Sequence, residues 1–242
     1  MFYNTHAHIA TKLFNSNNNL LIIGSILPDI AITKIFDWDH GLHGKDKGYE
    51  LIDYIKKEDR SFEFLGKGVL AHSIVDDFAH HDYRGGKGFA YQNNQKLASL
   101  CKEYYEVDDL MALKKAHNYI ESAVDICLLQ DYSNMQNEVS KALKKTDFKK
   151  LSVFLGKYLK LDSQKFYQAS ELYFNMVTKN DLNKRAGWVL FWQDLNKMMS
   201  LKAIENAQIE TLINEGLSIV KDTYKDFLDY SVSEGKAFIK YQ

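Results

Sequence analysis

The chain has 242 residues, with 31 Lys plus Arg against 32 Asp plus Glu and a formal net charge of −1. That length can bury a substantial core, while the charge balance excludes the strongly electropositive surface that duplex nucleic acid requires. Only three arginines occur (Arg60, Arg84 and Arg185), which argues against an arginine-rich phosphate clamp.

A single proline, Pro28, leaves room for long uninterrupted helices, and few segments alternate with period two. Thr5 is expected to cap a first helix running to about Phe14, ended by the Asn15 to Asn19 cluster. Leu20 to Ile26 follows as a short apolar helix closed by Pro28-Asp29. Residues 33–48 read as a loop, Tyr49 to Lys57 as a helix, and Ser61 as the cap of a long helix beyond it. Gly85-Gly86-Lys87-Gly88 is a break. Helical patterns resume near Asn94 and from Asp108 to Leu129. Further amphipathic helices are read over Asn134 to Lys144, Phe148 to Leu159, Ser163 to Val177, Lys184 to Met199 and Leu201 to Tyr230. The expectation is one all-α domain over 1–242. Residues 1–130 build a metal site, and 131–242 form a helical buttress.

Leu20 to Leu27 is far shorter than the ~20 apolar residues of a membrane span and follows no strongly basic segment. A soluble, cytoplasmic protein is expected. Cys101 and Cys127 form no CxxC motif and read as small buried side chains.

All eight histidines precede position 118. His72, Asp76 and His80 fall at i, i+4 and i+8, while His117 and Glu121 repeat the i, i+4 step. Residues four apart share a helix face, and imidazoles and carboxylates are the donors zinc prefers. His72 and His80 are ~12 Å apart along the axis, too far to share one tetrahedral ion. The pattern therefore predicts a row of metals. Asp76 bridges or ligates beside His72, while His80 joins His117 and Glu121 on a facing helix. His6 and His8 are two apart, so at most one points into the site. Asp29 and either His40 or His43 follow. Asp125 continues the His117, Glu121 register and suits an outer hydrogen bond. Asp77 reads as an outer hydrogen-bond partner or a structural residue, and Phe36, Trp38 and Tyr83 as either an apolar entrance or ordinary packing.

Thr5-His6-x-x-Ile9-Ala10, Gly24-Ser25-x-x-Pro28-Asp29, the 40–43 loop histidine, His72-x3-Asp76-x3-His80 and His117-x3-Glu121 occur in that order. Together they resemble the zinc-dependent phospholipase C family, which shares an all-helical fold with fungal zinc nucleases that cut single strands. The resemblance covers roughly residues 1–130. It implies a multi-helix bundle and two or three zinc ions. One ion would be held by His72, Asp76 and the loop histidine, His43 being preferred for its separation from Asp29. A second would take His80, His117 and Glu121, and a third His6 with Asp76. Asp29 would orient or deprotonate the attacking water at the mouth. The second histidine of the HxxxD segment falls slightly early, which keeps His81 open as a ligand. Secreted relatives also use a processed amino terminus, so His8 stays open as a substitute near the third ion.

The implied activity is zinc-dependent phosphoester hydrolysis, with a small phosphoester or a phospholipid as substrate and long nucleic acid disfavoured. Two rivals are carried beside it: an HD-type phosphohydrolase using His81-Asp82, and a metal-stabilised helical scaffold without turnover.

Overall fold

The computed structural model describes residues 3–35, 41–92 and 94–240, with Lys45 described for its backbone alone. Among these are thirteen α-helices and no strand, so the chain is all-α. None of the helices is long and apolar enough to cross a membrane. The first seven are α1 (Tyr3–Phe14), α2 (Asn19–Ile26), α3 (Lys45–Glu58), α4 (Glu63–His80), α5 (Phe89–Gln92), α6 (Gln95–Tyr105) and α7 (Asp109–Asp131). The C-terminal half adds α8 (Met135–Lys145), α9 (Phe148–Leu159), α10 (Ser163–Lys179), α11 (Arg185–Met198), α12 (Asn206–Val220) and α13 (Tyr224–Lys240).

Two helices sit innermost. Helix α4 buries Leu65, Val69, Leu70, Ala71, Ile74, Val75 and Ala79, so nearly its whole circumference is apolar or small. It packs against α1, α2, α3, α5 and α13. Helix α7 is as deeply set, against α1, α5, α6, α12 and α13. Tyr119 of α7 stacks on Trp192 of α11 with ring centroids 3.7 Å apart. Tyr105, Tyr119 and Asn196 share a buried hydrogen-bonded cluster beneath that stack. The histidine-bearing helices are thus the two that the rest of the chain wraps.

Several element boundaries depart from the sequence reading. Helix α1 starts at Tyr3, inside which Thr5 is a helical residue and not its cap. The acceptor at that helix end comes from α7: Asp125 receives the Asn4 and Thr5 amides and the Thr5 hydroxyl. Ser61 lies in a 3-10 turn, Arg60–Phe62, whose amide is taken up by the Asp59 side chain at 2.9 Å. The segment expected as a loop to residue 48 is helical from Lys45. The stretch expected as one helix over Leu201 to Tyr230 starts at Asn206 and breaks between α12 and α13. Both halves touch α7, but α12 otherwise lies on α6 and α11, and α13 on α1 and α4. A straight helix serves only one such face. Cys101 and Cys127 are both buried thiols.

Candidate metal centre

The site is assembled where α4, α7 and α1 meet the segment after α2. Asn18 accepts the Leu20 amide at 2.8 Å and starts α2. At its end Pro28 opens a 3-10 helix, Leu27–Thr33, which sets Asp29 in its first turn. A carboxylate is favoured there by the helix dipole. Across from it, His72 Nδ1 lies 2.9 Å from the Ser25 carbonyl oxygen. A carbonyl only accepts, so Nδ1 carries the proton and Nε2 is the free donor atom. That is the orienting bond metal-ligating histidines characteristically make.

Three groups of donor atoms converge, each with its atoms within 4.8 Å of one another: His6, His72 and Asp76; Asp29, His43 and His72; His80, His117 and Glu121. The Asp76 carboxylate splits between two imidazoles, Oδ1 at 3.3 Å from His6 Nε2 and Oδ2 at 3.2 Å from His72 Nε2. His6 stacks on His72 with centroids 4.1 Å apart, and His43 meets His72 edge-on at 5.1 Å. His43 Nε2 is 3.6 Å from Asp29 Oδ1. In the third group His80 Nε2 stands 2.6 Å from Glu121 Oε1, and His117 Nε2 is 3.9 Å from the same oxygen. His117 Nδ1 lies 3.1 Å from the Tyr91 hydroxyl, which holds that ring as Ser25 holds His72.

The electrostatics follow from burial. His6 and His117 are both held down to about 4 by burial; His72 adds to it at His6, and at His117 burial overrides the opposing Glu121 charge, with a smaller push from His80. Both are neutral imidazoles with lone pairs available at neutral pH. Burial also works against His80, but the bond and charge of Glu121 push it up to about 9. Glu121 is buried, which alone would raise its carboxyl; the positive charge around it brings it down to about 2. Asp29 and Asp76 are likewise held below the ordinary carboxylate range against their own burial. With Nδ1 committed to Ser25, a neutral His72 would turn a lone pair toward an Asp76 oxygen. Acceptor against acceptor at that distance needs a proton or a cation between them. Nitrogen and oxygen donors with so much buried negative charge fit zinc.

Asp29, His43, Asp76, His80, His117 and Glu121 line one cavity of about 890 Å³. The structure therefore brings together all eight residues singled out for the site, with His6 and His72 buried directly behind its wall. The grouping differs from the implied one. His72 is shared by two groups, and Asp29 is a member of one of them instead of standing apart at the mouth. His8 turns away, its ring 4.4 Å from that of Tyr132, and joins none of the groups. His81 is exposed at the end of α4, and Asp82 accepts the Gly85 amide at 3.0 Å in the turn beyond. His81 lines the cavity, but this doublet joins none of the donor groups found among the described residues.

Tyr83 takes the packing alternative, against Phe89, Phe227 and Tyr230, and is not among the residues lining this cavity. Phe36, Trp38 and His40 lie outside the described residues. Asp125 makes its hydrogen bonds to α1 instead of to a ligand. The sequence reading missed Tyr91, Lys34, Lys115 and Met199, all on the cavity wall. No spacing marks them: Tyr91, Lys34 and Met199 come from segments without a periodic donor pattern, and Lys115, although on α7, is out of the His117, Glu121 register.

Fold and site together define an all-helical protein with clustered histidine and carboxylate donors around a cavity. The chain belongs to the zinc-dependent phospholipase C family, whose model matches residues 2–225. Membership extends well past the 1–130 region in which the motifs are legible and carries zinc and a hydrolase class with it. Neither a curated protein nor a solved structure matches the chain.

Proposed function

We propose that this chain is a zinc-dependent phosphodiester hydrolase of phospholipase C type, acting on a phospholipid or another small phosphoester. The observation that carries the reading is the convergence of three histidine–carboxylate groups on one cavity. His80, His117 and Glu121 would hold one ion. His6, His43, His72 and Asp76 would hold one or two more, with Asp76 and His72 shared and Asp29 beside them. Bound zinc supplies Lewis-acid charge to phosphoester oxygens and makes hydroxide accessible near pH ~7.

The protein's own contribution is position and proton traffic. Ser25 and Tyr91 fix the rings of His72 and His117. Asp29, ionised and on the cavity wall, is the group assigned to orient the attacking water and take its proton. The near-neutral net charge favours a lipid or small phosphoester over long nucleic acid.

Elemental analysis of the purified chain tests the reading, combined with hydrolysis of chromogenic phosphodiesters and phosphocholine lipids before and after chelation. Two or three zinc equivalents with chelator-sensitive turnover is the expected result. Asp29→Asn should lower kcat by roughly 10²–10⁴-fold, the range for a general base. Bound zinc with no turnover in the parent chain would leave a metal-stabilised scaffold instead.

A further inference from the structure

One wall of the cavity has the opposite charge from the donor cluster. Lys115 is only 1% exposed, and its ammonium has one partner among the described residues, the Met199 sulfur at 3.1 Å. A thioether is a weak acceptor, whereas an ammonium offers three donors. A buried charge so poorly matched is costly unless something else neutralises it. Lys34 reaches the same methionine, its Nζ 3.1 Å from the Met199 carbonyl oxygen, and Lys114 completes the basic wall. All three lysines line the cavity that holds Asp29, His80 and His117.

We propose that this lysine wall receives a second anionic group of the substrate, a phosphate or carboxylate separate from the scissile phosphodiester, and that Lys115 is its main contact. The proposal rests on the hydrolase reading for the word substrate, but the anion site itself does not. An anion beside Lys115 would give its ammonium the strong acceptor that the Met199 sulfur is not. A headgroup ending in a quaternary ammonium would instead meet three cations. The site thus selects against choline and for a headgroup carrying extra negative charge.

The test compares zinc-loaded full-length chain on short-chain phosphatidylinositol 4-phosphate, phosphatidylinositol and phosphatidylcholine. The two inositol compounds are also tested as their deacylated glycerophospho forms. The phosphorylated headgroup should be preferred by about 10- to 100-fold in kcat/KM, the value of a charge-assisted contact. In Lys115→Met, a neutral side chain of similar length, that ratio should fall to near one. A ratio kept by the deacylated pair assigns the recognition to the headgroup itself, and a ratio seen only with lipid assigns it to the headgroup at a membrane surface.

A second readout needs no turnover. In chelator, inorganic phosphate should raise the Tm of the parent chain but not of Lys115→Met, whose baseline Tm should itself be higher. Equal phosphate shifts in both proteins, or equal losses of kcat/KM on all three lipids in the variant, overturn the proposal. Absence of hydrolysis on every substrate would sink the hydrolase reading, while a Lys115-dependent phosphate shift would still uphold the anion site.

Discussion

Gly24 of α2 and Gly68 of α4 meet backbone to backbone. A Cβ on Gly24 would lie 2.3 Å from the Leu65 carbonyl oxygen, and one on Gly68 would lie 2.3 Å from that of Leu21. The obstacle on both sides is main chain, which cannot rotate away. This approach lets the Ser25 carbonyl reach His72 Nδ1 one turn further along α4. The glycine of the Gly24-Ser25 segment is therefore part of how the donor ring is aimed.

Gly68→Ala should force α2 and α4 apart. Overpacking of this kind costs about 1–3 kcal/mol or more. For a chain of this size that is a fall in Tm of roughly 2–12 °C. The more telling effect is at the site, because losing the Ser25 bond frees the His72 ring. Zinc affinity should fall in Gly68→Ala but not in the control Gly86→Ala, whose new Cβ would meet only Gln92 Nε2 at 3.3 Å and Tyr83 O at 3.5 Å. Calorimetry and competition with a zinc indicator read the two effects separately. Unchanged zinc affinity in a destabilised Gly68→Ala would detach the helix contact from the site.

His80 and His81 both line the cavity but have different partners, and this separates the proposed centre from its HD-type rival. His80 Nε2 is 2.6 Å from Glu121 Oε1, whereas His81 joins no donor group. Elemental analysis of His80→Ala should show about one zinc equivalent fewer than the parent chain, with His81→Ala at the parent value. Zinc lost in His81→Ala and Asp82→Ala but kept in His80→Ala would reverse the assignment.

His80 also gives the metal-free protein a pH signature. Its folded pKa, about 9, lies above its unfolded value of 6.5. The ion pair with Glu121 therefore contributes stability fully below pH 6.5 and loses it as pH rises through 9. In chelator, the Tm advantage of the parent chain over His80→Gln should shrink across that window, since other titrating groups cancel in the difference. Zinc must displace the same proton, so its affinity should strengthen as pH rises. An advantage that stays flat with pH would mean the imidazole carries no proton there.

How much of this was legible beforehand depends on whether a residue announced itself by spacing. The donors of α4 and α7 did, because the i, i+4 step is a property of the helix alone. Asp29 and His43 sit on non-repeating segments and could be placed only through the order of family-like motifs. Lys115 and Met199 were invisible, since their meeting depends on where the C-terminal helices pack. Boundaries failed for a related reason. Ser61 and Thr5 have the composition of caps, but Asp59 and Asp125 hold those positions, the latter from a helix about 120 residues away.

Asp125 supplies the last prediction. It accepts the Asn4 amide at 3.1 Å, the Thr5 amide at 2.8 Å and the Thr5 hydroxyl at 2.6 Å, all fully buried, and so fixes the start of the helix that carries His6. Asp125→Ala leaves those donors unsatisfied. At ~1–3 kcal/mol for each of the three buried orphans, the loss should be about 3–9 kcal/mol. Asp125→Asn keeps one acceptor oxygen and should cost less, with a dependence on pH that the alanine change cannot mimic. Burial raises the Asp125 carboxyl from 3.8 to about 7, its three hydrogen bonds offsetting only part of that. A folded pKa above the unfolded one means the parent loses this group's contribution as pH rises from 3.8 through 7. The uncharged asparagine loses nothing over that interval. Denaturant titrations at pH 5 and pH 8 should therefore show Asp125→Asn closing on the parent at the higher pH. A gap that widens instead would mean that the three donors keep Asp125 ionised throughout, and that its charge holds the His6 helix in place.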